Sequence, residues 1–243
     1  KFSEPLIMGI LNLTPDSFSD GGLFNRTNKA FSHIKNMIHT GADIIDVGGE
    51  STRPGSKDIP SNIEWKRLEK IVIKFKKIYP KIFLSVDTRK SEIMVKAIKN
   101  KSDLINDVSG FNYDLNAIDR IKKFNVWKVL HHMQGTPNTM QINPKYKNVL
   151  LDIYDFFEEK IQLLRNHGIN HNNIIIDPGI GFGKNLKHNI TLIKNISIYH
   201  SLGLPILLGM SRKKFIKDLS GSNDSILRTG GTIGSCIFAM MQG

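Results

Sequence analysis

Short runs rich in isoleucine, valine and leucine alternate along the chain with longer stretches in which apolar residues recur every three or four positions. The runs fall at residues 6–13, 43–48, 83–87, 104–108, 128–133, 174–177 and 206–210. Nearly continuous apolar character predicts seven strands of a parallel sheet covered on both faces, and the 3.6-residue period between them predicts crossover helices. The clearest helix is expected over residues 148–167, where Leu150, Ile153, Tyr154, Phe157, Ile161 and Leu164 share one face and Gly168 stands at the stop position.

The strand ends repeat a chemical theme. ADIIDVGG, SDLINDVSG and NNIIIDPG each run from a polar entry through apolar residues to Asp or Asn and then Gly. Polar groups gathered at one end of successive parallel strands are the mark of a catalytic rim on a barrel. After the seventh run come SRKKFIKDL and a helical stretch, RTGGTIGSCIFAMMQ, whose Gly230, Gly231, Gly234 and Ser235 allow close packing. The expectation is therefore an α/β fold: one domain over residues 1–243, a TIM (β/α)8 barrel truncated after its seventh βα unit, with the eighth strand and helix absent. An unpaired seam of that kind predicts low stability and weak activity.

Composition narrows the function classes. A chain of 243 residues that is 40% hydrophobic and 23% charged has the make-up of an ordinary globular protein, which excludes collagen-like, coiled-coil and disordered readings. The single cysteine, Cys236, rules out a disulfide framework and points to a reducing cytoplasm. No apolar stretch approaches the length of a membrane span, and the first strand run lacks a signal-peptide cleavage site, so neither a membrane partner nor secretion is expected. The net charge of +12 is spread over lysines on helical faces without interleaved aromatics, so nucleic acid is not expected as a partner either. The histidines show no HExxH spacing, and His131 and His132 are expected to pack or hydrogen-bond near the rim.

Six loops carry candidate chemistry, most with a plainer alternative. The first, NLTPDSFSDGG, suits a lid over a substrate or a solvated turn; it lacks the oxygen ligands of a calcium loop, having Phe18 and Thr27 at the third and twelfth positions counted from Asp16. The second, GGESTRPG, offers Thr52 and Arg53 to an anion or a flat ring, unless Glu50 simply pairs with Arg53. SVDTRK and LINDVSG place Asp87, Asn106 and Asp107 at strand ends, where they suit a heterocycle rich in N–H donors or cap the next helix. IIIDPGIGFGK matches neither a dinucleotide nor a P-loop pattern, which leaves Asp177 as an acceptor for a donor edge and Phe182 as an aromatic wall. GMSRKKF puts Lys213 where barrels bind anions, although it reads equally as one more surface lysine.

Taken together, ILNLTPDSFSDGG, DVGGESTRPG, SVDTRK, INDVSG, HMQGTP, DPGIGFGKN and GMSRKKF resemble the ordered signatures of the dihydropteroate synthases over practically the whole chain. That resemblance implies a folate-pathway transferase joining a pterin pyrophosphate to p-aminobenzoate. It implies that Asp87, Asn106, Asp177 and Lys213 hydrogen-bond the pterin, with Asp87, Lys213 and Asn106 as the catalytic set, and that Met133, Gly209 and Phe182 line the pocket. Thr52 corresponds to a pyrophosphate or loop contact. Phe18, Arg53 and Pro54 correspond to the p-aminobenzoate site, where sulfonamides compete in related enzymes. Mg²⁺ is the implied cofactor, with Asn12 its matching residue, and a homodimer is the implied assembly. The Arg-x-His motif of the family's eighth strand has no counterpart in this sequence. Rival readings are a pterin-binding module that passes a methyl group to a corrinoid partner, which has no need for the NLTPDSFSDGG lid or STRPG, and a noncatalytic or regulatory barrel whose charge binds an acidic partner.

Overall fold

A computed structural model describes residues 4–14, 23–52 and 55–242, the side chains of residues 23–26 excepted. Among them, six parallel strands lie side by side in chain order: β1 (Met8–Asn12), β2 (Ile44–Gly48), β3 (Phe83–Asp87), β4 (Leu104–Asp107), β5 (Trp127–His131) and β6 (Ile174–Asp177). Helices alternate with them: α1 (Leu23–His39), α2 (Ser61–Ile78), α3 (Ser91–Lys99), α4 (Ala117–Ile121), α5 (Val149–Asn166), α6 (Leu186–Lys194), α7 (Lys214–Ser220) and α8 (Thr229–Met240). Consecutive parallel strands joined by crossover helices are the (β/α) barrel arrangement.

Side-chain alternation sorts the strand residues into two environments. Leu11, Ile45, Val47, Leu84, Val86, Ile105, Leu130, Ile174 and Ile176 face the helices, and with Ile34, Leu68, Phe75, Met94, Phe157 and Tyr199 they form the main core. The alternate positions face inward. Leu104, Val129 and Ile175, with Trp127 and Leu207, make a separate small cluster there. Above this apolar floor the inward positions turn polar, at Asp46, Ser85, Asp87, Asn106, His131 and Asp177. The sheet is curled around them. Asn106 on β4 donates to Asp46 on β2 at 3.2 Å across the intervening strand, whereas flat sheets set alternate strands about 9.5 Å apart.

The seventh predicted strand is reduced to one bridge. Ile206 pairs with Ile176, whose N–H donates to Pro205 O at 3.0 Å and whose carbonyl accepts from Leu207 N at 2.8 Å; residues 207–210 make no further ladder. Among the described residues this segment has a strand neighbour only on the β6 side, and β1 has one only on the β2 side. Without a ladder on its far side the run keeps its place but not its pairing. For the same reason the inward Ile10 of β1 is 51% exposed.

Helix α5 forms where the pattern predicts it. Asn148 caps it, its side chain accepting from Leu150 N at 3.1 Å and Leu151 N at 3.4 Å, and Gly168 follows its end with φ +84°. Ile153, Phe157, Ile161 and Leu164 are its buried stripe. No helix among the described residues is long and apolar enough to cross a membrane.

Phe157 is fully buried and meets the Tyr199 ring edge-on with centroids 5.7 Å apart. Phe157→Ala is expected to lower the unfolding free energy by about 3–5 kcal/mol, read from the urea midpoint at unchanged slope.

Candidate active site

The polar rim begins with Asp46, a carboxylate in the middle of a strand. Both Ser85 Oγ and Asn106 Nδ2 donate to it, and burial still raises its pKa above the ordinary carboxylate range. Asp87 stands on the neighbouring strand, opposite Gly48 on one side and Asn106 on the other. Burial, then repulsion from Asp46, pushes its carboxyl well above the ordinary value. Asn106 Oδ1 is buried with no hydrogen-bond partner among the described residues, an acceptor left for something else. Asp107 points the other way. It takes the N–H groups of Ser109 at 2.8 Å and Phe111 at 3.2 Å, and so shapes the turn after β4.

Across the cavity, Asp177 ends β6. Its Oδ1 accepts from Gly179 N at 2.8 Å, and its Oδ2 lies 4.0 Å from His131 Nε2. Burial pushes His131 down to about 4, so at neutral pH it is an uncharged ring, anchored through Nδ1 to Val108 O at 2.9 Å. The Phe182 ring meets His131 edge-on at 4.7 Å, and Lys213 Nζ sits 4.7 Å above the centre of that same ring. Two glycines give Lys213 its room. A Cβ on Gly181 would come within 3.1 Å of Lys213 Cδ, and one on Gly209 within 3.2 Å of Lys213 Nζ. Its amine donates to Ile180 O, and burial lowers its pKa to about 8.

The base of the second loop is fixed by charge. Glu50 receives Arg89 Nη2 at 2.8 Å and Lys90 Nζ at 2.8 Å; Lys90 also reaches Glu64 at 2.6 Å, and Arg89 reaches Asp58 at 3.0 Å. Glu50 and Arg89 side chains are each 4% exposed, and the Arg89 guanidinium stacks 4.3 Å from the Tyr113 ring. These pairs hold Arg89 and Lys90 in their charged forms despite the cost of burial.

A model of the pterin-binding enzyme family matches residues 8–243. The dihydropteroate synthase of Escherichia coli K12 is 40% identical over 241 residues, spanning 99% of this chain and 84% of its own length. The chain belongs to the dihydropteroate synthase family. Crystal structures agree in shape. The Yersinia pestis dihydropteroate synthase with a sulfonamide drug superposes with TM-score 0.92 at 39% identity, covering 99% of this chain and 86% of that one. The Xanthomonas albilineans dihydropteroate synthase with 4-aminobenzoic acid gives 0.91 at 35% identity, covering 99% and 85%.

Of the residues expected at the pterin, Asp87 and Asn106 stand side by side on β3 and β4, and Phe182, Gly209 and Lys213 gather near Asp177 at the end of β6. Met133 is half-buried two residues beyond the end of β5, and Thr52 is half-buried in the second loop. Phe18, Arg53 and Pro54 lie outside the described residues. Helix capping does not explain the strand-end acids: Lys90 and Asn116 occupy the N-cap positions of α3 and α4, and Asp114 takes Ser91 N at 2.8 Å. Sequence reasoning paired Glu50 with Arg53 as its plainer alternative and overlooked Arg89 and Lys90, its partners here. It also passed over Asp46 and Ser85; the signal was present, since a carboxylate inside ADIIDVGG interrupts an otherwise apolar run.

The described residues contain no cluster of three His, Cys, Asp or Glu side chains able to hold a metal. For a cation carried by a substrate's phosphates the donor chemistry still fits. Asn12 is exposed at the end of β1, and its Oδ1 and Asp87 Oδ2 each lie 3.5 Å from where a Cβ on Gly48 would stand. Hard oxygen donors beside a gap suit Mg²⁺, which keeps most of its ligands from phosphate and water.

The Lys213 shift makes a signed prediction. The unfolded chain holds this proton to about pH 10.5, whereas the folded protein releases it near 8, so between those values the unfolded state binds more protons and stability rises with pH. The unfolding free energy of the parent protein relative to Lys213→Met is expected to climb from pH 8 to 10.5, by at most about 3 kcal/mol. Denaturant melts across that window check it, and a flat difference would contradict the burial assigned to Lys213.

Proposed function

We propose that this chain condenses 6-hydroxymethyl-7,8-dihydropterin pyrophosphate with p-aminobenzoate, giving 7,8-dihydropteroate and pyrophosphate. The observation that carries the reading is the gathering of polar groups on one rim. Asn106 Oδ1 is a buried acceptor with no partner among the described residues, and Lys213 lies over the Phe182 ring near the Asp177 carboxylate, which supports reading these side chains as one binding set. That set matches a flat heterocycle with adjoining donor and acceptor edges, and an analogue without those edges would leave the buried groups unpaired. Asp177 and Asn106 take the donor edge and Lys213 the acceptor edge, while Met133, Gly209 and Phe182 line the faces.

The reaction is S_N1-like. The bond between the pterin methylene and the pyrophosphate oxygen breaks with its electron pair leaving on pyrophosphate. The aniline nitrogen then donates its lone pair to the methylene cation, forming the C–N bond and releasing a proton. Asp87 is assigned to the cation and Thr52 to the pyrophosphate, and Lys213, on the pterin edge, supplies cationic charge for the departing group. Preorganised charge of both signs lowers such a barrier. Asn12 would hold Mg²⁺ against the pyrophosphate, and that ion when bound supplies charge neutralisation of the leaving group. Phe18, Arg53 and Pro54, which lie outside the described residues, are the residues assigned to p-aminobenzoate. The exposed apolar residues Ile233, Ile237 and Phe238 of α8 support assembly as a homodimer, and the lone Cys236 fits a cytoplasmic enzyme.

Asp177→Asn keeps shape and replaces an acceptor with a donor on the pterin side. It is expected to lower kcat/KM for the pterin pyrophosphate about 10- to 100-fold, measured by pyrophosphate release with p-aminobenzoate and Mg²⁺ saturating. Unchanged kinetics in that variant would sink the assignment.

A further inference from the structure

Residues 180–183, in the loop between β6 and α6, present four consecutive carbonyls, and each accepts a hydrogen bond from a different side chain. Lys213 Nζ donates to Ile180 O, Gln141 Nε2 to Gly181 O at 2.6 Å, Lys184 Nζ to Phe182 O at 2.8 Å, and Tyr146 Oη to Gly183 O at 2.8 Å. Loops ordinarily satisfy such groups with water, so four side-chain donors in a row fix the orientation of every peptide plane in the segment. The N–H side is held as well, with Gly181 N donating to Asn189 Oδ1 at 2.7 Å and Phe182 N to Gly179 O at 2.9 Å.

Two of the four donors come from the loop between β5 and α5, which is itself braced. Gln134 and Lys145 exchange hydrogen bonds at 2.8 and 3.1 Å, closing residues 134–145 into a ring of contacts. Lys184 is buried and also meets His132 Nδ1 at 3.0 Å, and the Tyr146 ring packs edge-on against His188 at 4.9 Å.

We propose that Gln141 and Tyr146 are positioning residues. They hold the backbone of residues 181–183 so that Phe182 stands as the wall against which the pterin packs and Lys213 lies correctly above it. The inference rests on the functional reading given above and extends it to a loop that supplies none of the hydrogen-bonding rim groups. A wall misplaced by a fraction of an ångström loses contact with a flat ring, so the effect falls on pterin binding.

Two variants of near-identical shape test it. Gln141→Glu removes the donor from an exposed side chain, and Tyr146→Phe removes only a hydroxyl. Each is expected to raise the Kd for 6-hydroxymethyl-7,8-dihydropterin pyrophosphate about five- to tenfold by calorimetric titration with Mg²⁺, the effect of one net hydrogen bond. KM for that substrate should rise in step while KM for p-aminobenzoate stays within twofold. Gln141→Lys, which restores a donor, is expected to recover most of the affinity, whereas a merely structural defect would not respond to it. Wild-type-like Kd values in both Gln141→Glu and Tyr146→Phe would overturn the proposal. Failure of the unaltered protein to bind the pterin pyrophosphate at all would overturn the functional reading, and this inference with it.

Discussion

The site depends on one buried carboxylate. Asp46 sits in the middle of β2 at 3% exposure, where an unpaired charge would cost several kcal/mol. Two donors from two further strands offset that cost, Ser85 on β3 and Asn106 on β4, and in doing so they draw three strands into one curve. The curve brings inward positions together. It also commits Asn106 Nδ2 to the protein, so the other end of the same amide, Oδ1, is left as the acceptor that faces the cavity. Without Asp46 the amide has no fixed orientation, and the neighbouring Asp87 loses the like charge that helps raise its pKa.

Outside the rim a second set of buried charges does a different job. Glu50, Arg89, Lys90 and Glu64 form a chain of ion pairs, and Arg67 donates to Gly49 O at 2.8 Å. Buried pairs of this kind add little net stability over a well-packed apolar core, because desolvation cancels most of their attraction. Their contribution is geometric. They fix the chain just past Gly48 at the start of the second loop, and they hold Arg89 and Lys90 against Glu50.

How much of this was legible in the sequence follows from which forces act locally. Apolar runs gave all six laddered strands to within two residues at most ends, and the periodicity of residues 148–167 with Asn148 and Gly168 at its ends gave α5, since strand burial and helix capping are written in neighbouring residues. The rim acids were legible as a class because polar strand ends recur. Asp46 carried the same signal within ADIIDVGG, but its pairing did not show, since Ser85 and Asn106 lie 39 and 60 residues away in sequence. Glu50 was paired with Arg53, the nearest cation in sequence, because the contacts to Arg89 and Lys90 span 39 and 40 residues. The run 206–210 has the composition of a strand, yet pairing needs neighbours, and composition does not count them.

The ionisation pattern of the ligand-free rim explains why these residues suit the chemistry proposed for them. Burial pushes Asp87 up and Lys213 down, so each is held closer to its neutral form than it would be in water. Asp87 is raised among like charges, and Lys213 is lowered even with the Asp177 carboxylate nearby. A substrate that develops positive charge on its ring methylene while negative charge gathers on its leaving group supplies both partners at once. Charge separation in the substrate then favours the charged form of each group, most strongly where that separation is largest. A rim built from fully paired, unshifted acids and lysines would stabilise the folded protein more and would gain nothing as the bond breaks. On the function proposed above, the groups that gain as charge separates are the same two that burial shifts, Asp87 and Lys213.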